Sequence, residues 1–161
     1  PQRNASMELV SGLDPYNKGA YVLHMLRYLI GDEIFFEILN NFLHIKKELP
    51  NNQVSTNDFI EFVHIKYGKN IDWFFKVYLL EKEYPVLIQK TKHGSNHTFI
   101  EFRWKNENFE MPIDVFYNSN TGLRQRRLSL TNKPIMIALP HYNKIKIDPE
   151  KRVLLTTYEE K

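Results

Sequence analysis

The hydrophobic period of the chain changes at Tyr84-Pro85, and that change limits the fold more than any other feature of the sequence. Ahead of it, apolar residues recur every three or four positions; beyond it they alternate with period two. A proline placed after a helical pattern stops it, because the residue before proline is pushed out of the helical region. The chain is therefore expected to be α+β, with residues 1–84 helical and residues 85–161 all-β. With 161 residues, 42% of them hydrophobic and 14% aromatic, it has the length and apolar content for one ordinary domain or two small ones.

Within the helical part the punctuation is explicit. Residues 1–15 hold Gly12 and Pro15 and show no sustained period, so they read as a loop leading to Tyr16. From Asn17, the residues Gly19, Val22, Leu23, Leu26, Leu29 and Ile30 form one face of a helix that ends at Gly31. Gly19 costs ~1 kcal/mol relative to alanine inside a helix, which suggests a close neighbour on that turn. Asp32 is placed to cap a second helix carrying Ile34, Phe35, Ile38, Leu39, Phe42 and Ile45, with Lys46-Lys47 at its basic end. Ser55-Thr56-Asn57-Asp58 has the form of a capping box for a third helix, ended by Gly68. A fourth follows Asn70 or Asp72, with Ile71, Phe74, Phe75, Tyr78 and Leu79 apolar; an aromatic stripe at that spacing is core far more often than a ligand groove.

Beyond Pro85 the expected strands are 86–91, 98–104, 111–117, 123–130, 135–139, 144–147 and 153–157. Gly/Asn/Ser-rich turns separate them. Short strands at such spacing argue for a small antiparallel β-sandwich. Trp104 and Tyr117 are candidates for a sugar-binding platform, although aromatics in short strands are more often core.

Several chemistries are excluded or lack a signature. There are no cysteines, hence no disulfide, Cys-ligated zinc or thiol nucleophile. No apolar run approaches the ~20 residues of a membrane span. With 22 basic against 19 acidic residues the net charge is +3, and the one dense basic run, Arg124-Gln125-Arg126-Arg127, reads as a solvated strand face with no nucleic-acid module around it. His24, His44 and His64 stand on separate helices without ligand spacing, and His93 and His97 share a hairpin loop, so no metal ligand is assigned. Phosphate loops and Gly-x-Ser-x-Gly elbows are absent. That leaves Tyr16, at a helix start. A phenol with an ordinary pKa of ~10 carries its proton at neutral pH and suits stabilisation of a developing oxyanion. The competing reading is that Tyr16 packs over the start of the helix.

The ordered series of segments adds a resemblance. Tyr16-Asn17-Lys18-Gly19-Ala20, continuing through His24-Met25-Leu26-Arg27 to Ile30-Gly31-Asp32-Glu33, resembles the Tyr-x-Lys-Gly-Ala segment of aminopeptidase N-like zinc metallopeptidases of the gluzincin superfamily, which includes the leukotriene A hydrolase family. Thr56-Asn57-Asp58-Phe59, Gly68-Lys69-Asn70, Asp72-Trp73-Phe74-Phe75 and Tyr84-Pro85-Val86-Leu87 look like the end of that family's helical catalytic subdomain. Met111-Pro112-Ile113-Asp114-Val115 and Ile147-Asp148-Pro149 are similar to the β-sandwich that follows it. The chain departs from the pattern at Tyr78, where a tryptophan is usual, and at Glu81-Lys82-Glu83, where glycine often precedes Tyr-Pro.

The resemblance implies a C-terminal fragment of a zinc aminopeptidase: an incomplete, thermolysin-like catalytic part over 1–84, then a β-sandwich over 85–161. Pro1 to Met7, with neither an initiating methionine at position 1 nor a signal-peptide core, agree with that expectation. It gives Tyr16 a role, hydrogen-bonding the oxyanion of the tetrahedral intermediate, whose oxygen zinc also polarises. The zinc motif and its glutamate ligand are expected N-terminal to Pro1, so this chain is expected to hold no metal ligand or cofactor and to be inactive alone. Implied partners are a peptide substrate and the missing N-terminal part of the same polypeptide, with no nucleic acid and no membrane span. Two readings compete: a catalytically inactive peptidase-like scaffold that keeps Tyr16 but has lost its zinc ligands, and an independent β-sandwich binding module with a helical cap.

Overall fold

The computed structural model describes residues 15–45, 53–119, 122–140 and 145–160. Of the loop expected over 1–15, residues 1–14 lie outside the described residues, as do the basic pair Lys46-Lys47 and the segment 49–52, while Pro15 is already the first residue of a helix. Helix α1 spans Pro15–Ile30 and α2 Asp32–Ile45, with only Gly31 between them. Gly31 takes φ +89°, a conformation costly for any residue with a Cβ, while its N–H still bonds Arg27 O at 2.9 Å. Asp32 does not stand outside the helix as a cap. It is the first residue of α2, and its carboxylate takes both Arg27 Nε (2.8 Å) and Arg27 Nη2 (2.6 Å).

Helix α3, Thr56–Tyr67, starts on the expected capping box. Asp58 N–H donates to Ser55 Oγ at 3.2 Å, and Ser55 N–H donates to Asp58 Oδ2 at 2.7 Å. Gly68, left-handed at φ +71°, ends it. The fourth helix is not uniform. Its α-helical part, α4, covers Asp72–Phe75, and Lys76–Leu80 continues it as a π-helical turn closed by Glu81 N–H to Lys76 O at 3.1 Å. The wider turn lets the sequence neighbours Val77 and Tyr78 both enter the core.

The strands are β1 (Val86–His93), β2 (His97–Trp104), β3 (Pro112–Ser119), β4 (Gly122–Ser129), β5 (Ile135–Pro140), β6 (Ile145–Ile147) and β7 (Thr156–Glu160). They form a four-stranded sheet in the order β5-β2-β1-β7 and a three-stranded sheet in the order β4-β3-β6. Every pairing is antiparallel except β1 with β7, which run parallel with Val86 opposite Thr156. The last strand also begins later than the sequence pattern suggests. Val153, Leu154 and Leu155 are buried but not paired into a sheet; they form a strap that crosses the interior before β7.

The α+β class is as expected, and one hydrophobic core runs through both halves. Its centre is Phe109, in the connection between β2 and β3. The ring lies edge-to-face on Trp104 (4.8 Å between centroids), Trp73 (5.1 Å) and Tyr78 (6.0 Å), so it touches a strand, α4 and the π-helical turn at once. Trp104 is fully buried with its Nε1–H on Met111 O at 2.8 Å, which makes it a core residue and not a sugar platform.

Candidate functional site

Tyr16 is the second residue of α1 and 82% exposed. The helix has two unlike sides. Val22, Met25, Leu26, Tyr28 and Ile30 are buried, while Tyr16, Gly19, Ala20, Leu23 and His24 face outward. Residues 16, 20, 23 and 27 fall at the four- and three-residue spacing of a single helical stripe. The exposed set continues onto α2, where Phe36 and Leu43 are uncovered and Arg27 stands 5.0 Å from the Phe36 ring. A Cβ added at Gly19 meets nothing within 4 Å. The close neighbour expected from that glycine is therefore not among the described residues of this chain.

The opposite side of α1 is gripped by the β part. Along the strap, Lys151 O accepts from the Tyr21 hydroxyl, and Leu154 N–H lies 3.3 Å from Met25 Sδ. Leu154 O accepts from the buried Tyr78 hydroxyl at 3.1 Å, tying the same strap to the π-helical turn. The strap is shaped by Asp148, whose two carboxylate oxygens accept Arg152 N–H (2.8 Å) and Val153 N–H (2.9 Å). Asp148 is itself buried at φ +42°, and burial raises its carboxyl above the ordinary range, with the Asp114 charge adding in the same direction.

At the far end of α1, Tyr28 lies within 4.2 Å of the Arg127 guanidinium and 5.4 Å of that of Arg152. Its phenol is pushed well up, first by burial and then by the charge of Asp114. Arg152 also reaches Asp114 Oδ2 at 3.8 Å and pairs with Glu150. Beside this cluster His24, Arg27, Tyr28, Asp32, Glu150 and Arg152 line an open pocket of about 420 Å³.

The remaining described histidines do not converge. His64 Nε2 lies 3.5 Å from Asp72 Oδ1, His93 Nδ1 lies 3.2 Å from Thr98 Oγ1, and His97 packs near Phe99. Among the described residues no group of three or more His, Asp or Glu side chains is arranged to hold a metal ion. The described donors thus do not fit a zinc site. Nor is any described helix long and apolar enough to cross a membrane. Arg127, Asp148 and the strap have no sequence signal of their own, beyond the inclusion of Ile147-Asp148-Pro149 in the resemblance.

Residues 2–78 match the model of the peptidase family M1 domain. That similarity is consistent with an aminopeptidase N-like peptidase segment. The match ends within the π-helical turn, ahead of the change of period at Tyr84-Pro85. Among curated proteins, none matches the chain.

Proposed function

We propose that this chain is the C-terminal helical part of a thermolysin-like zinc aminopeptidase domain, residues 1–84, followed by a β-sandwich domain, residues 85–161. Tyr16 is its catalytic residue. The observation that carries the reading is the placement of Tyr16 in the first turn of α1, 82% exposed and inside the family-matched segment. In that role the phenolic O–H donates to the oxyanion that forms when the first peptide bond of a substrate is attacked. Such a donor acts on charge that exists only in the transition state, so it raises turnover without tightening ground-state binding.

In this reading zinc and its ligands lie in another portion of the polypeptide, in keeping with the described residues holding no group of three or more His, Asp or Glu arranged for a metal ion. The chain's own contribution is then the hydrogen-bond donor and the scaffold that aims it. The uncovered stripe of α1 and the exposed Phe36 and Leu43 on α2 are where the remainder of the catalytic domain would sit.

The test is hydrolysis of peptides with free and with acetylated N-termini. The polypeptide carrying the rest of the domain should release the N-terminal residue of the free peptide only, and this chain alone should release nothing. Absence of hydrolysis by the longer polypeptide in the presence of zinc would instead favour a scaffold that has lost catalysis.

A further inference from the structure

Exposure along β4 runs from residue 122 to 127, as the solvated-face expectation for Arg124–Arg127 requires. Arg127 nevertheless reaches out of its own sheet. Its Nη2 donates to the backbone carbonyl of Tyr28 at 2.6 Å, and its guanidinium carbon lies 4.2 Å from the Tyr28 ring centroid. Tyr28 is in the last turn of α1, where carbonyls run out of intrahelical donors. One planar side chain thus caps the helix and stacks on it, a combination that a lysine ammonium does not reproduce.

We propose that Arg127 is a positioning residue for Tyr16: its contact with Tyr28 sets the tilt of α1. The proposal rests on the reading of Tyr16 as the oxyanion donor. With Arg127 removed, the strap still holds α1 at Tyr21 and Met25, and those contacts become a pivot. Tyr16 lies five residues before Tyr21, the nearer of the two holds, a lever of ~8 Å at 1.5 Å per residue, so a rotation of ~10° displaces it by about 1 Å. Misplacement by ~1 Å can cost on the order of 100-fold in rate. A small loosening at one end of the helix is therefore amplified at the other.

The experiment compares Arg127→Lys and Arg127→Met with the parent, both in this chain and in the polypeptide carrying the rest of the peptidase domain. Amide hydrogen exchange in this chain should rise ~10-fold across α1, with β1 and β2 unchanged. In the longer polypeptide kcat should fall by ~10- to 100-fold with KM within about twofold. Arg127→Lys keeps the charge and the strand, and carries the test where Arg127→Met does not fold. Unchanged α1 exchange in both variants would overturn the proposal, as would a uniform rise in exchange throughout the chain. So would a loosened α1 with normal kcat in a polypeptide that Tyr16→Phe inactivates. If Tyr16→Phe leaves turnover intact, the reading of Tyr16 is what fails, and the exchange result still decides whether Arg127 holds the helix.

Discussion

Replacing Phe109 by alanine should weaken the helices and the sheets together. Phe109 is 1% exposed and lies edge-to-face on Trp104, Trp73 and Tyr78. Truncating a buried phenylalanine costs ~3–5 kcal/mol, and aromatic pairs of this geometry contribute about 0.5–1.5 kcal/mol each beyond their buried area. Three such pairs place the loss near the top of the range, at about 5 kcal/mol. That is a third or more of the ~5–15 kcal/mol that stabilises an ordinary domain. At roughly 2–4 °C per kcal/mol for a chain of this size, Tm should fall by about 10–20 °C. Thermal melts followed by far-ultraviolet circular dichroism report the helices, and tryptophan fluorescence reports Trp73 and Trp104; the two midpoints should drop in step. Phe109→Leu, which keeps most of the volume, should cost less than ~2 kcal/mol. A loss below ~2 kcal/mol for the alanine variant, or a helix signal that keeps its midpoint while the sheets weaken, would refute the shared core.

Asp148→Asn tests the buried carboxyl that shapes the strap. Because burial raises its pKa in the folded state, the native protein holds more protons than the unfolded chain between the ordinary carboxylate value and the raised one. Stability contributed by this group therefore rises as pH falls through that window, and Asn, which tolerates φ +42°, should abolish the slope in Tm measured from about pH 7 to 4. Asp32, held low by its hydrogen bonds from Arg27, and Asp58, held low by those from Ser55, lose their contributions only below the ordinary value, so the windows do not overlap. Gly19→Ala fills open space on α1 and should raise the Tm of this chain by about 1–4 °C, the effect of ~0.5–1 kcal/mol. In the longer polypeptide that gain should vanish, since a neighbour then covers the turn. Ser55→Ala removes the α3 cap and should cost ~1 kcal/mol, read by the same melts.

Local signals in the sequence carry most of the element boundaries. Gly31, Ser55 and Gly68 mark helix ends because a left-handed backbone or a capping hydroxyl is needed at that residue. Alternation marks β2 and β5 most clearly, because one face of each is buried. What stays hidden depends on partners distant in sequence. Val153-Leu154-Leu155 reads as a strand from its apolar run, yet it is buried by α1 and the π-helical turn, whose Met25 and Tyr78 take its backbone groups. The parallel pairing of β7 follows from where that strap delivers the chain, which no periodicity records. Asp32 has a cap's position but sits within reach of Arg27, and a bidentate ion pair won. The π-helical turn keeps an apolar pattern indistinguishable from an α-helix over a few residues. Arg127 differs from Arg124 and Arg126 only in what it meets across the fold. For Tyr16, helix position and chemistry were readable, and the task proposed for it came only from the ordered series of segments around it.

The most direct test of the central claim is Tyr16→Phe in the polypeptide that carries this chain together with the rest of its peptidase domain, assayed for release of an N-terminal residue. Loss of one oxyanion donor is worth ~10²–10³ in kcat, with KM nearly unchanged because the bond is made only in the transition state. Tyr16 is exposed on this chain, so the variant should keep the parent's Tm. A kcat that falls by two orders of magnitude or more at constant KM and Tm is the predicted result; turnover within a few-fold of the parent would contradict the assignment of Tyr16.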